Sequence, residues 1–288
     1  MTLKKFKPKT SSTRFKVNLD NNRLVKNKIE KKLLCALNKS GGRNNFGKIT
    51  VNHIGGGCKR RYRKVLFKRK SFKAIVVSFE YDPNRTAYLA KIYCMPNSLY
   101  EYIIAPKYLL IGDSIEYGSN IIQKNNGSST CLLNIPIGGL IHNIEIKPGK
   151  GGQLVRSAGC FATLIEKLDK YARIRLSSGE QRLVSLFCYA SLGVIDNGDH
   201  KHISLGKAGK SRWLGIRPTV RGVAMNPVDH PHGGGQGKTS GGRPSVTPRG
   251  LPTKGQPTKK NINKNILISV QKLRDFKQNS TRKGKFSY

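Results

Sequence analysis

Residues 226–242 read Asn-Pro-Val-Asp-His-Pro-His-Gly-Gly-Gly-Gln-Gly-Lys-Thr-Ser-Gly-Gly, so an acid, two imidazoles and a glycine run fall between Asp229 and Gly237. Four chemistries use such residues. A general base needs a histidine with an orienting acid, a nucleophile and a pocket that excludes water. A Gly/Pro-rich basic stretch supplies neither of the last two. A closed metal site needs four ligands, and His230, His232 and Asp229 have no fourth nearby. A phosphate loop reads G-x-x-x-x-G-K-[ST] after a strand. Gly237-Lys238-Thr239 fits its end, but His232 stands where the first glycine belongs and no strong strand precedes it. The fourth reading is an extended strip against RNA. There, Gly233, Gly234 and Gly235 let the backbone approach closely, His230 and His232 donate hydrogen bonds or stack, and Lys238 neutralises phosphate. Only this reading lacks no part, and it calls for no cofactor and no metal.

Three other stretches carry related chemistry. Residues 55–70 open with Gly55-Gly56-Gly57 and continue Cys58-Lys59-Arg60-Arg61-Tyr62-Arg63-Lys64-Val65-Leu66-Phe67-Lys68-Arg69-Lys70. Nine basic residues and no acid lie between 58 and 73. Arginine forks match phosphate oxygens, and interleaved aromatics can stack or pack, as RNA-backbone binding requires. A solvated charged strand or a localisation signal is the plainer alternative. Residues 147–159 place Lys147, Lys150 and Arg156 around the turn Pro148-Gly149-Lys150-Gly151-Gly152. Backbone N–H groups of such a turn can cradle a phosphate, and an ordinary β-turn explains it equally well. Residues 206–221 set the single Trp213 among Lys207, Lys210, Arg212, Arg217 and Arg221. Trp213 can stack on a base or an arginine, or pack against the second of the two β-barrels expected from the sequence.

The elements that position these groups follow from charge and periodicity. The formal net charge is +39, from 54 Lys and Arg against 15 Asp and Glu. Self-repulsion of that size opposes a compact state unless a polyanion neutralises it, and the natural polyanions are nucleic acid and an anionic membrane surface. Residues 1–73 carry net +21, residues 74–200 net +1 and residues 201–288 net +17. An enzyme with a basic groove does not segregate charge this way along its chain. A balanced body with two basic arms does.

The balanced centre reads as β-structure. Residues 74–81 and 87–93 flank Asp82-Pro83-Asn84 as a hairpin, and residues 100–104 and 114–117 follow at short spacing. Residues 140–146, 161–165, 171–176 and 182–188 form a second set with Gly-rich turns between. Short strands with regular turn signals predict two small consecutive barrels with little helix. The expected organisation is a basic N-terminal arm over 1–73, one β-barrel over 74–130, another over 131–200 and a basic Gly/Pro-rich extension over 201–288. Within the N-terminal arm, residues 24–37 carry enough leucine for a short helix. Residues 231–258 lack the apolar surface to order themselves without a partner.

Six cysteines, at 35, 58, 94, 131, 160 and 188, form no CxxC pair and no zinc-finger spacing. They read as reduced thiols in a reducing compartment. No apolar run approaches the ~20 residues of a membrane span. The N-terminus has no apolar signal core.

The motifs taken in order resemble large-subunit ribosomal protein 2 of the bacterial and organellar type. They are His53 to Gly57, Lys59 to Arg63, Glu80-Tyr81-Asp82-Pro83-Asn84-Arg85, His142-Asn143, Lys147 to Leu154, Arg156 to Gly159, Arg212-Trp213, Arg217 to Gly222 and Met225 to Gly235. The resemblance runs from about residue 4 to about 268. It implies an oligonucleotide-binding-type barrel followed by an SH3-like barrel, with long extensions threaded into rRNA. It also implies large-subunit rRNA and neighbouring ribosomal proteins as partners, contact with the small subunit, no membrane and no homo-oligomer. The implied place is near the peptidyl-transferase region and the tRNA sites. His230 falls on the family position associated with support of peptidyl transfer; because bond formation is attributed to RNA, it reads as an RNA-shaping contact. The family usually has His at Cys58, an acid at Gln236 and often Trp at Arg249, and residues 269–288 depart from its arginine-rich end. The Asn-, Ile-, Lys- and Tyr-rich composition resembles coding in an AT-rich genome. With family-like residues starting almost at Met1, it sets the expectation of an organelle-encoded protein of the mitochondrial matrix, with a plastid or a bacterial cytoplasm as alternative.

Overall fold

A computed structural model describes residues 3–25, 29–68, 71–95, 97–119, 125–237, 242–255, 265–270 and 272–273. The described residues divide into two bodies. The first takes those that fall within Met1–Asn38, Lys59–Lys207 and Lys264–Tyr288, and the second those within Lys39–Cys58 and Ala208–Asn263. The protein is mainly β. In chain order the strands are β1 (Leu3–Lys5), β2 (Val17–Leu19), β3 (Leu34–Ala36), β4 (Arg61–Arg63), β5 (Phe72–Glu80), β6 (Leu89–Cys94), β7 (Leu99–Ile104), β8 (Ser114–Tyr117) and β9 (Ser129–Cys131). Then come β10 (Leu140–His142), β11 (Ile144–Glu145), β12 (Gly152–Leu154), β13 (Ala162–Lys167), β14 (Tyr171–Leu176), β15 (Gln181–Ser185), β16 (Tyr189–Leu192) and β17 (Ile266–Ile268). The α-helices are short: α1 (Ser11–Arg14) and α2 (Ala208–Trp213).

Eleven strands form one ladder, ordered β17-β15-β14-β13-β10-β16-β9-β8-β5-β6-β7. Its two halves bury separate cores. The β5–β8 half closes over Val76, Phe79, Ile92, Ile103 and Ile115. The half built from β10 and β13–β16 closes over Ile141, Leu164, Ile174, Val184 and Ala190. The join is a single parallel pair, Tyr117 with Ser129, reinforced by the Pro106–Ile195 bridge.

Local sequence explains most of these strands. In β5 the period-two alternation buries Ala74 and Val76, then shifts register between Val76 and Ser78. The bulge leaves Val77 exposed and brings Phe79 back into the core, which accelerates the strand's twist. Residues 140–146 alternate only in part, because Asn143 takes a left-handed backbone, φ 50°. Asn tolerates that region, so the chain turns there and splits into β10 and β11.

The helix expected over residues 24–37 does not form where the chain is described. Lys31–Leu33 is one 3-10 turn, and β3 pairs with β4 as Leu34 to Arg63, Cys35 to Tyr62 and Ala36 to Arg61. Leu24 packs on the first core, and the Val25 N–H bonds to the Phe79 carbonyl. Extended pairing with a ready partner wins over weak helix propensity. At the other end, β17 returns to pair Ile266 and Ile268 with Arg182 and Gln181.

Candidate nucleic-acid interface

Strand periodicity puts Glu80 on the same side of the chain as Asp82, at the end of β5, and both are buried. Tyr102 on β7 donates its hydroxyl to Glu80 at 2.9 and 2.8 Å. Burial, with the Glu80 carboxylate adding to it, pushes the Tyr102 phenol up to about 12. The two acids hold two arginines. Arg63 of β4, buried, lies 3.6 Å from Glu80 and 3.8 Å from Asp82. Arg85 donates Nε–H to Asp82 at 2.6 Å across the Asp-Pro-Asn turn. Its guanidinium carbon then stands 5.9 Å from the Tyr62 ring centroid and 5.8 Å from that of Phe67. Arg156 covers Phe67 at 4.7 Å.

The hairpin of residues 145–154 joins this cluster. The Gly152 N–H donates to the Phe67 carbonyl at 3.1 Å. At Gly151, φ 86°, a Cβ would lie 3.0 Å from that same carbonyl oxygen, so only glycine lets the backbones meet. The N–H groups of Gly149 and Gly151 do point inward as an anion nest, but they donate to the protein's own Glu145 carboxylate at 3.2 and 2.8 Å. Tyr189 N–H donates to it as well, at 3.1 Å. The turn therefore cannot offer those two amides to a phosphate. It fixes the backbone from which Lys147 and Lys150 project, both exposed.

The first body thus gathers around Phe67 two stretches that lie ~80 residues apart in sequence. Lys59, Arg61, Lys68 and Arg156 are exposed there, and Arg60 donates to the Pro83 carbonyl at 3.3 Å. Tyr62 contributes a half-buried ring. Arg63 is the exception among the expected RNA contacts: the structure turns it inward onto Glu80 and Asp82 because two buried carboxylates require a cation. Arg85 and Glu145 are absent from the sequence-derived set. The signal for Arg85 is its i+3 spacing from Asp82 over a turn. Nothing local marks Glu145. Lys207 is exposed on this body, and Arg69 lies outside the described residues.

The second body carries the rest. The Gly55 N–H donates to the Gly215 carbonyl at 3.0 Å, the Cys58 N–H to that of Trp213 at 2.9 Å and the Arg217 N–H to that of His53 at 2.9 Å. A Cβ on Gly57, φ 79°, would sit 2.9 Å from the Gly215 nitrogen. The Lys39 ammonium donates to the carbonyls of Gly56 and Gly57, at 3.1 and 2.6 Å, and to that of Cys58. Gly57 therefore serves close approach of the chain to itself. Arg212, Trp213, Arg217 and Arg221 are exposed, Trp213 by 55%.

The same holds for the strip at 226–235. A Cβ on Gly233 would collide with the Asn226 carbonyl, and one on Gly234, φ 93°, would meet Pro227 at 2.7 Å. His230 is buried against Gly222, where a Cβ would lie 2.6 Å from the ring. His232 N–H donates to His230 Nδ1, and Val246 N–H to His232 Nε2, both at 3.0 Å. At these two nitrogens the rings accept from the protein's own backbone, and they stack on each other with centroids 5.1 Å apart. Asp229 is exposed and Gly235 reaches the surface, while Lys238 lies outside the described residues. Among the described residues no three His, Cys, Asp or Glu side chains are grouped to hold a metal ion, and no helix is long and apolar enough to cross a membrane.

Comparison with known proteins accords with this arrangement. Residues 30–117 match the family "Ribosomal Proteins L2, RNA binding N-terminal domain", and residues 125–250 match "Ribosomal Proteins L2, C-terminal domain". The chain is 53% identical over 263 residues to large ribosomal subunit protein uL2 of Parvibaculum lavamentivorans, covering 91% of this chain and 94% of that one. It is also 53% identical over 271 residues to large ribosomal subunit protein uL2m of Reclinomonas americana, covering 93% and 97%. To uL2 of Brucella ovis it is 52% identical over 263 residues, with 91% and 94% covered. Matches of this identity over nine-tenths of both chains do not arise without common descent, and the chain belongs to the L2 family of ribosomal proteins, structural proteins rather than enzymes.

Proposed function

We propose that the chain binds large-subunit rRNA as a structural element near the peptidyl-transferase region, supporting subunit assembly, association with the small subunit and the architecture of the tRNA sites. One observation carries the RNA-binding part: the convergence of Arg60, Tyr62, Phe67, Arg85, Arg156 and the Lys147–Lys150 hairpin on one face of the first body. Arg85, held by buried Asp82, and Arg156, lying over Phe67 and donating to the Gly152 carbonyl, are pre-organised for phosphate and base contact, so less side-chain entropy remains to be lost on binding. Residues 74–130 and 131–200 act as the docking domains, each with its own core, in the manner of an oligonucleotide-binding-type barrel and an SH3-like barrel. Residues 1–73 and 201–288 supply Lys59, Lys68, Arg69, Lys207, Lys210, Arg212, Arg217, Arg221 and Lys238 as further phosphate contacts, with Trp213 as a stacking surface.

The assembly is a ribosome, with rRNA and neighbouring ribosomal proteins as partners and no self-association required. Bacterial and mitochondrial relatives stand equally close, at 53%. The AT-rich coding signature favours the mitochondrial matrix. Two measurements test this reading. Density-gradient fractionation should find the chain co-migrating with the large subunit. In competition, large-subunit rRNA should displace random RNA from the purified chain; equal affinity for both would defeat the assignment.

A further inference from the structure

The sequence casts His230 and His232 as groups that donate hydrogen bonds to RNA or stack on it. Their surroundings give them a different task. His230 is 8% exposed, and its ring lies on Gly222 and stacks on His232 with centroids 5.1 Å apart and planes 24° apart. Its backbone is tied as well: its N–H donates to the Asn226 carbonyl at 3.3 Å, and its own carbonyl accepts from Gly233 at 2.8 Å. The His232 N–H donates to His230 Nδ1, and the Val246 N–H to His232 Nε2. A backbone N–H can only donate, and an imidazole nitrogen can accept only while it carries no proton. The direction of both bonds therefore fixes both tautomers: His230 carries its proton on Nε2, and His232 carries its proton on Nδ1.

We propose that His230 and His232 are positioning residues. They form a tautomer-specific lock that ties the Gly222 turn, the Gly233–Gly234 bend and the segment at Val246 into one shape, and it is this shape, rather than an imidazole-to-RNA bond, that the RNA meets. The proposal rests on the RNA-binding reading above. Losing either acceptor strands a partly buried N–H, which opens the loop. The two rings use different nitrogens, so different amides replace them. Asn places its Oδ1 near the position of an imidazole Nδ1, and Gln places its Oε1 near that of Nε2.

The test uses the full-length chain and four substitutions. His230→Asn and His232→Gln should bind large-subunit rRNA within about twofold of the unaltered chain, whereas His230→Gln and His232→Asn should weaken binding about tenfold. A contact made through His230 Nε2–H predicts the reverse at 230, with Gln tolerated and Asn not; that result, or four equal affinities, would overturn the lock. A long-range proton–nitrogen correlation spectrum of the histidine rings in the free chain supplies an RNA-independent readout, because the lock is made within the chain and orders its part of 231–258 without a partner, contrary to the expectation from composition. It should show Nε2–H at His230 and Nδ1–H at His232, and Nδ1–H at His230 or Nε2–H at His232 would refute the proposal. If the unaltered chain fails to prefer rRNA, the functional reading falls while the ring spectrum still decides the tautomers.

Discussion

Arg63 and Arg85 share the Asp82 carboxylate, and only Arg63 also reaches Glu80, so removing them should produce different failures. Arg63→Ala leaves Glu80 and Asp82 buried without their inner cation, at a cost of about 3–5 kcal/mol. Thermal or denaturant unfolding should register that loss. Arg85→Ala leaves Arg63 in place and removes the guanidinium between Tyr62 and Phe67. RNA affinity should fall about tenfold with a smaller change in unfolding midpoint. Arg85→Lys should not restore it, because an ammonium lacks the planar fork that meets Asp82 and the ring faces together. At the hairpin, Lys147→Ala with Lys150→Ala should leave stability within about 0.5 kcal/mol, since both residues are exposed. The slope of log affinity against log salt should drop by about one for each phosphate that is no longer neutralised. The sequence marks these lysines and arginines by charge. It cannot mark which arginine is turned inward, because that depends on where two acids at the end of β5 come to lie.

Among the elements, the cysteines report the two cores. Burial pushes the Cys94 thiol of β6 up to about 11, with Glu101 adding, and the Cys188 thiol before β16 up to about 12, with Glu145 adding. Cys58 is exposed. Alkylation of the native chain near pH 8 should label Cys58 and spare Cys94 and Cys188 until the chain unfolds. The sign of the pH effect follows from linkage. A thiol whose folded pKa lies above its unfolded value stabilises the fold fully below the ordinary value of 9.0, and that contribution is lost as pH rises toward about 11 to 12. An unfolding free energy that rises between pH 9 and pH 11 would contradict the burial of both thiols. The glycines test the second body. Gly57→Ala and Gly56→Ala both strain a positive φ, but only the first drives a Cβ into Gly215. Gly57→Ala should therefore render residues 208–222 far more sensitive to proteolysis than Gly56→Ala does. The strands of the centre were legible because alternation and turn residues repeat. β3 was not, since its pairing with β4 depends on a strand ~25 residues away that carries only three residues.

For the whole molecule, charge dominates. A net charge of +39 concentrated on residues 1–73 and 201–288 predicts that affinity for RNA falls steeply with salt, by several powers of ten between 50 and 200 mM if six to ten phosphates are neutralised. A shallow salt slope would show that the arms do not engage phosphate. The first body keeps a near-neutral β centre under its cations because a ladder with two cores cannot tolerate unpaired buried charge. Where buried cations occur, as at Arg63, an acid is supplied beside them.

Composition, charge partition and motif order by themselves determined the class of partner, the mainly β centre and the family likeness, since each is a property of local sequence that survives without coordinates. The tertiary structure alone decided direction. It turned Arg63 inward and Arg85 onto two rings, filled the glycine nest with Glu145, and made His230 Nδ1 and His232 Nε2 acceptors of backbone N–H groups. These outcomes depend on where side chains and backbone amides come to lie in space, and even across a few residues a linear pattern contains neither the distance nor the direction between them.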